Sequence, residues 1–287
     1  MRYTDSFSGR TTMRRATAVT FALILAAASA LGAHDFFLVP GAYPFSPGTD
    51  VEILAQSSSR FPTSAGPVAI ARVTRAVMIG ADGESSITDM SIRGTSLVLR
   101  SRPASDGQRL IAVDLIPRSA RQTPAEMLRW IKLEGAADAA DRIQRGTALD
   151  GLDSVTRTDT KHAKTIIDVG RGGPRAFSRS SGQMIEFIPL KDPATLRAGD
   201  TLRARLEFKG SALPRISVHA SVPAPDDTTK KAEPDLELVT DASGMVVLPV
   251  RKTGLWLVRT IHVVEVSRGN WETHWASLVF RAGTGDR

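Results

Sequence analysis

The sequence contains no cysteine among its 287 residues. That absence excludes a disulfide framework, cysteine-ligated zinc or iron–sulfur centres, thiol catalysis and a lipid-modified cysteine. Histidine is also scarce, because the chain has only five, which are His34, His162, His219, His262 and His274. A tight transition-metal site must therefore use these imidazoles together with carboxylates.

Long apolar runs are equally scarce, and the one that occurs lies near the N-terminus. Residues 16–30 are apolar or small and follow two arginines. A basic start, an apolar run too short to span a bilayer and a small-residue end predict a secretory signal peptide over residues 1–33. Cleavage is expected after Ala30 or after Ala33, and the second site leaves His34 as the N-terminal residue. The sequence thus predicts a periplasmic or otherwise extracytoplasmic protein.

The excess of basic residues is small once this segment is removed. The chain has 37 Lys and Arg against 30 Asp and Glu, for a net charge of +7. Residues 1–33 hold four of the arginines and one of the aspartates, so the remainder carries a net charge of +4. Because the rest is dispersed along the chain, we predict no nucleic-acid partner.

The remaining sequence predicts a mostly β protein. Short segments rich in β-branched residues are separated by Gly, Pro and Asp, as in an antiparallel sandwich. A segment of glycine, serine and arginine without periodicity, residues 170–182, is predicted to be a linker. It would separate two sandwich-like domains, residues 34–169 and residues 183–287. The second has the strand density of an immunoglobulin-like or prealbumin-like sandwich, with a long exposed hairpin loop over residues 223–235.

One helical insertion is predicted in the first domain. Thr123, Pro124 and Glu126 form an N-cap, a first-turn proline and the acidic residue of a capping box, and apolar residues then recur at helical spacing until Gly135. A second short helix is predicted over residues 136–144 from its alanine content.

Three segments resemble a known family. Residues 184–202, 240–262 and 270–280, together with the sequence Ala-His-Asp-Phe at residues 33–36, resemble an exported bacterial family of domains of unknown function. Members of that family are commonly labelled as periplasmic, NikM-type components of nickel uptake. The resemblance implies a nickel-binding role and a membrane transporter as a partner.

The N-terminal residue left by cleavage at Ala33 is a candidate metal anchor. The α-amine and the imidazole of His34 would together supply two nitrogen ligands in one chelate ring, an arrangement that suits nickel or copper. The alternative is an ordinary residue at the start of the first strand.

The last predicted hairpin supplies the other candidate ligands. If its turn covers residues 267–270, strand alternation places His262 opposite Trp275, among indole rings. Glu272 and His274 are two residues apart and point the same way, so both could bind one cation. Each has an alternative as a packed or exposed polar residue. The predicted metal residues are His34, His262, Glu272 and His274.

Signals for catalysis are weak. The sequence contains no Gly-x-Ser-x-Gly elbow, phosphate-binding glycine loop or His-Glu-x-x-His helix. We therefore predict ligand binding without catalysis, although a hydrolase with a dispersed triad stays an alternative. A second alternative is a metal-free module of the cell envelope that binds a glycan or a protein.

Overall fold

The computed structural model describes residues 34–225 and 233–283. The predicted signal peptide and the tip of the loop at residues 223–235 lie outside the described residues. The chain forms two compact units, Met1–His34 and Asp35–Arg287. No helix in the described part is long and apolar enough to span a membrane.

The second unit consists mainly of strands. In chain order, the described strands are β1 Asp35–Pro40, β2 Val51–Ser58, β3 Val73–Gly80, β4 Gly83–Ser86, β5 Asp89–Arg93, β6 Ser96–Ser101, β7 Gly107–Leu115, β8 Arg118–Gln122, β9 Val155–Val169, β10 Ile185–Pro189, β11 Thr201–Phe208, β12 Ser211–Ala212, β13 Ser217–Ser221, β14 Leu236–Val239, β15 Met245–Pro249, β16 Gly254–Ser267 and β17 Asn270–Ala282. The helices are α1 Pro124–Leu133 and α2 Ala137–Arg145.

The strands form three sheets. The central sheet has nine strands, in the order β14-β13-β16-β17-β9-β7-β3-β4, with β8 paired to the first part of β9. The N-terminal sheet has the order β1-β2-β6-β5, and the C-terminal sheet is built around β11, which pairs with β10, β12 and β15. The prediction of a mostly β fold with antiparallel sheets is confirmed, with β9 and β17 as a parallel exception.

This parallel pair joins the two halves of the sequence. Strand β9 precedes residues 170–182 and β17 follows them, and the two are paired from Thr156 and Asn270 to Thr165 and Val279. Residues 170–182 therefore do not separate two domains, because strands from both sides belong to one sheet and one compact unit.

The predicted linker is itself held in place. The side-chain oxygen of Gln108 accepts hydrogen bonds from the backbone N–H groups of Ala176 and Phe177, at 3.0 and 2.7 Å. Arg175 also forms ion pairs with Asp168 and Asp192. A segment with these bonds is a fixed connection and not an interdomain linker.

The central sheet has a covered layer on each face. Even-numbered residues of β16 and β17, such as Trp256 and Phe280, pack against the C-terminal sheet. Odd-numbered residues, such as Ile261 and Trp275, pack under the two helices. The N-terminal sheet covers the same face as the helices, over β3, β7 and β9. Each large apolar side chain buried in these layers contributes roughly 1.5–3 kcal/mol.

The helical insertion is confirmed. Glu126 donates its backbone N–H to the Thr123 hydroxyl at 3.3 Å, and the Glu126 carboxylate accepts the Thr123 N–H at 2.8 Å. Helix α1 then buries Met127 and Ile131 against the central sheet. The second predicted helix is also present, as α2.

Candidate functional site

The hairpin of β16 and β17 brings two histidines together. The predicted turn is present, since Ser267 pairs with Asn270, but an irregularity between Glu265 and Ser267 shifts the register by one residue. His262 consequently lies opposite His274 and not opposite Trp275. The predicted pairing was wrong because a β-bulge adds a residue to one strand only.

Both imidazoles lie between the central sheet and the C-terminal sheet. The ring of Phe208, at the end of β11, is 4.8 Å from the His262 ring and 4.9 Å from the His274 ring. The indole of Trp275 lies on the other face, 5.9 Å from Trp130 of α1. His262 is thus not surrounded by indoles, and a phenyl ring contacts both histidines.

Glu272 orients the ring of His274. The Oε2 atom of Glu272 and the Nε2 atom of His274 are 3.1 Å apart. An ionised carboxylate only accepts hydrogen bonds, so Nε2 carries the proton and Nδ1 keeps its lone pair. Within the described residues, the buried Nδ1 atoms of His274 and His262 have no hydrogen-bond partner. The predicted common direction of Glu272 and His274 is confirmed by this contact.

Both rings are kept neutral by their surroundings. Burial, with a smaller contribution from the nearby His274 in the same direction, lowers the pKa of His262 to about 4. Burial also lowers the pKa of His274, although its bond with Glu272 opposes that effect. A neutral imidazole is the form that binds metal ions.

A third imidazole lies on the same face of the sheet. His162 of β9 has its Nδ1 atom 2.7 Å from Asp114, and its buried Nε2 atom has no partner in the described part of the chain. His162 pairs with Ala276, two residues along β17 from His274. Two lysines flank His162 in the sequence. Strand alternation places Lys161 on the opposite face, whereas Lys164 lies on the same face and is paired with Glu186. The carboxylate of Asp114 comes from β7, which is far away in sequence.

The predicted role of His34 stays a prediction. His34 is half-buried and belongs to the unit Met1–His34. Its neighbour Asp35 begins the second unit and forms an ion pair of 3.1 Å with Arg259. Arg259 and Asp35 lie on the helix-covered face of the central sheet, whereas His262 points to the other face.

The helix-covered face holds a cluster of buried charges. Burial raises the pKa of Asp35, even beside Arg259, and raises the pKa of Glu134 to about 7. Burial also lowers the pKa of Lys161 to about 8. The Lys161 ammonium lies 4.4 Å from the centre of the Trp275 ring. A cavity of about 230 Å³ opens beside this cluster and is lined by both Asp35 and Arg259.

The family is shown by its sequence pattern. Residues 31–264 match the family described as "Domain of unknown function (DUF4198)". The chain belongs to this family. A comparison with curated proteins found no match.

Several solved structures are similar to the DUF4198 chain at low identity. The D0-D1 domain of intimin is 10% identical, with 86% of this chain and 97% of that chain covered and a TM-score of 0.19. The FdeC adhesin of Escherichia coli is 15% identical, with 88% and 64% covered and a TM-score of 0.20. The ectodomain of mouse nectin-like molecule 4 (Ig1-Ig3) is 12% identical, with 89% and 66% covered and a TM-score of 0.18.

The pairing of β16 with β17 gives the DUF4198 chain two neighbouring nitrogen donors. In the described residues, no three side chains of His, Asp or Glu converge closely enough to hold one ion. His262 and His274 supply two imidazoles on one face, and Glu272 serves as the hydrogen-bond partner of one of them. Further coordination positions would be filled by water or by groups that accompany the ion.

Proposed function

We propose that the protein is an extracytoplasmic ligand-binding protein that takes up a transition metal ion through His262 and His274. Family resemblance favours nickel as the cargo, and copper is the second candidate. The observation that supports this proposal is the pair of neutral, opposed imidazoles whose Nδ1 atoms are buried without a partner. A buried acceptor without a hydrogen bond is costly, and a bound cation would remove that cost.

The donor set suits these metals. Imidazole nitrogen is a preferred ligand of nickel and copper, and two rings on adjacent strands start close together. The bond from His274 to Glu272 resembles the carboxylate–histidine–metal arrangement, in which the carboxylate fixes the tautomer of the ligand. Glu272 is 39% exposed, so the pair is reached from the solvent along its side chain.

Metal titration tests the proposal directly. Residues 34–287 contain the whole compact unit, and calorimetry with Ni²⁺ and with Cu²⁺ should show uptake of one of these ions. Binding should also raise the melting temperature by mass action. His262→Ala and His274→Ala should each abolish uptake at this site, because only one imidazole of the pair remains.

A matched histidine variant provides the control. The ring of His219 is bonded to the carbonyl of Gly135 at 2.7 Å, on the helix-covered face. His219→Gln should therefore leave metal uptake unchanged. Absence of uptake of either ion by the folded protein would contradict the proposal and favour the metal-free envelope module that binds a glycan or a protein.

The extracytoplasmic location is part of the same proposal. It is supported by the basic start, the apolar run and the small residues of positions 1–33. Cell fractionation should find the protein outside the cytoplasm, and N-terminal sequencing should begin at Leu31 or His34. A cytoplasmic chain that keeps residues 1–33 would contradict export and, with it, the proposed membrane transporter as a partner.

A further inference from the structure

The outer face of the C-terminal sheet carries an arginine between two exposed apolar residues. Arg203 of β11 pairs directly with Val247 of β15, and on its other side its carbonyl accepts the N–H of Leu190 at 2.8 Å. Leu190 and Val247 are 48% and 49% exposed. Outer faces of sandwiches usually carry polar residues, so a row of this kind indicates a contact surface.

A depression lies next to this row and is lined by two cationic side chains. Its volume is about 450 Å³, and its wall holds the cations Lys191 and Arg203, the carboxylate of Asp200, and the side chains of Leu190 and Thr201. The Asp200 carboxylate is 3.6 Å from the Lys191 ammonium, while the guanidinium of Arg203 is exposed. An anionic group that enters the depression would therefore meet two donors beside apolar carbon.

The surrounding charges favour an anionic occupant. Within this part of the described surface the basic residues outnumber the acidic ones, and the five basic residues are Lys191, Arg197, Arg203, Arg205 and Arg251. The acidic residues are Asp200, Glu207, which is bonded to Arg205 at 2.6 Å, and Asp241, whose pKa is lowered first by its hydrogen bonds and also by the charge of Arg203. A second copy of the chain docked face to face would place arginine against arginine, which like-charge repulsion disfavours.

We propose that this face docks on an anionic phospholipid bilayer. Phosphate groups of the lipid would bind Lys191 and Arg203 in the depression, and Leu190 and Val247 would enter the interfacial layer. This proposal is independent of metal binding.

Vesicle sedimentation tests the proposal. Residues 34–287, which lack the apolar N-terminal run, should sediment with vesicles of phosphatidylcholine and phosphatidylglycerol but not with phosphatidylcholine alone. Added salt should weaken the binding, because the contact is electrostatic at the surface. Lys191→Gln combined with Arg203→Gln should lower the partition coefficient roughly thirtyfold, from about 1 kcal/mol for each cation.

Two other double variants test whether the position of the charges matters and whether the apolar side chains contribute to vesicle binding. Arg129→Gln combined with Arg145→Gln removes the same charge from the helices on the opposite side of the central sheet and should leave binding nearly unchanged. Leu190→Ser combined with Val247→Ser should weaken binding without reducing its dependence on salt. All four positions are exposed, and a thermal melt of each variant verifies that it is folded.

Several outcomes would overturn the proposal. One is the absence of sedimentation with anionic vesicles, and another is equal sedimentation with neutral vesicles. A third is a loss of vesicle binding in the Arg129→Gln and Arg145→Gln variant as large as that in the Lys191→Gln and Arg203→Gln variant. Binding to immobilised polyglutamate that depends on Lys191 and Arg203, without binding to vesicles, would assign the face to an acidic protein. A dimer in gel filtration that Val247→Ser dissociates would assign it to a second copy.

Discussion

The ammonium group of Lys164 lies 2.6 Å from the carboxylate of Glu186, and both side chains are almost completely buried between the central and the C-terminal sheets. Ser180 and Ser181 donate further hydrogen bonds to the same carboxylate, at 2.5 and 2.8 Å. Burial alone would raise the pKa of Glu186, but Lys164 and the two serines hold it below its usual range. The hydrogen bonds of Ser180 and Ser181 attach the end of residues 170–182 to β10 of the C-terminal sheet.

Removal of one partner of this pair should destabilise the protein strongly. Lys164→Ala leaves a buried carboxylate without its cation, and such a loss costs about 3–5 kcal/mol of unfolding free energy. Lys164→Met with Glu186→Gln removes both charges and keeps an acceptor for the serines, so it should cost less than the single change. Urea unfolding measures both, and a double variant as unstable as Lys164→Ala would argue against the pair.

The role assigned to Glu272 predicts an effect on metal affinity. Glu272→Ala removes the acceptor that fixes the tautomer and orientation of His274, and loss of such a partner lowers metal affinity about 10–100-fold. Calorimetry with the metal ion that binds measures the change. Glu265→Ala, an exposed acidic residue on the same hairpin, is the matched control and should bind as the unchanged protein does. Equal affinities in both variants would show that Glu272 does not orient His274.

The raised pKa of Glu134 predicts how stability depends on pH. Burial and the nearby charge of Asp35 raise this pKa from 4.5 to about 7 in the folded protein. The folded state therefore holds the proton more tightly than the unfolded state, and stability should fall as the pH rises from 4.5 to about 7. Glu134→Gln cannot ionise and should flatten this fall, as urea unfolding at several pH values would show. An unchanged slope would mean that Glu134 titrates normally.

Two glycines near the helix ends should respond differently to alanine. Gly135 has φ = +90°, and an added Cβ would lie 2.5 Å from Nε2 of His219. Gly135→Ala should therefore cost about 1–3 kcal/mol through strain and displacement of that ring.

Gly146 is the matched control for this change. It has φ = −87°, and an added Cβ would be 3.5 Å from the nearest atom, the carbonyl oxygen of Ile143. Gly146→Ala should change stability by less than about 1 kcal/mol. Thermal unfolding compares the two variants, and a similar effect at both positions would contradict the structural difference.

The features that could be predicted from the sequence are those with a local cause. The capping box at Thr123 and Glu126 acts within one helical turn, so the start of α1 is visible in four residues. Strand alternation likewise predicts that Glu272 and His274 share a face. These patterns depend on neighbours in the chain and need no knowledge of the sheets.

Other features depend on contacts between distant residues. The bulge near Glu265 changes which residue lies opposite His262, but it leaves the alternation of each strand unchanged, so the sequence does not reveal it. The bond between Asp114 and His162 joins β7 to β9 across the helical insertion. The predicted pairing of His262 with Trp275 would place His262 and His274 on opposite faces of the hairpin. The structure places both of them, together with His162, on the face covered by the C-terminal sheet.

The parallel pairing of β9 with β17 also has a consequence for synthesis. Among the described strands, β17 is synthesised last and is one of the innermost strands of the largest sheet, so a nascent chain that ends before residue 270 exposes the backbone of β9 from Thr156 to Thr165. Pairing over more than a hundred residues closes a large loop, which slows folding. The central sheet therefore stays incomplete until residues 270–282 have been synthesised.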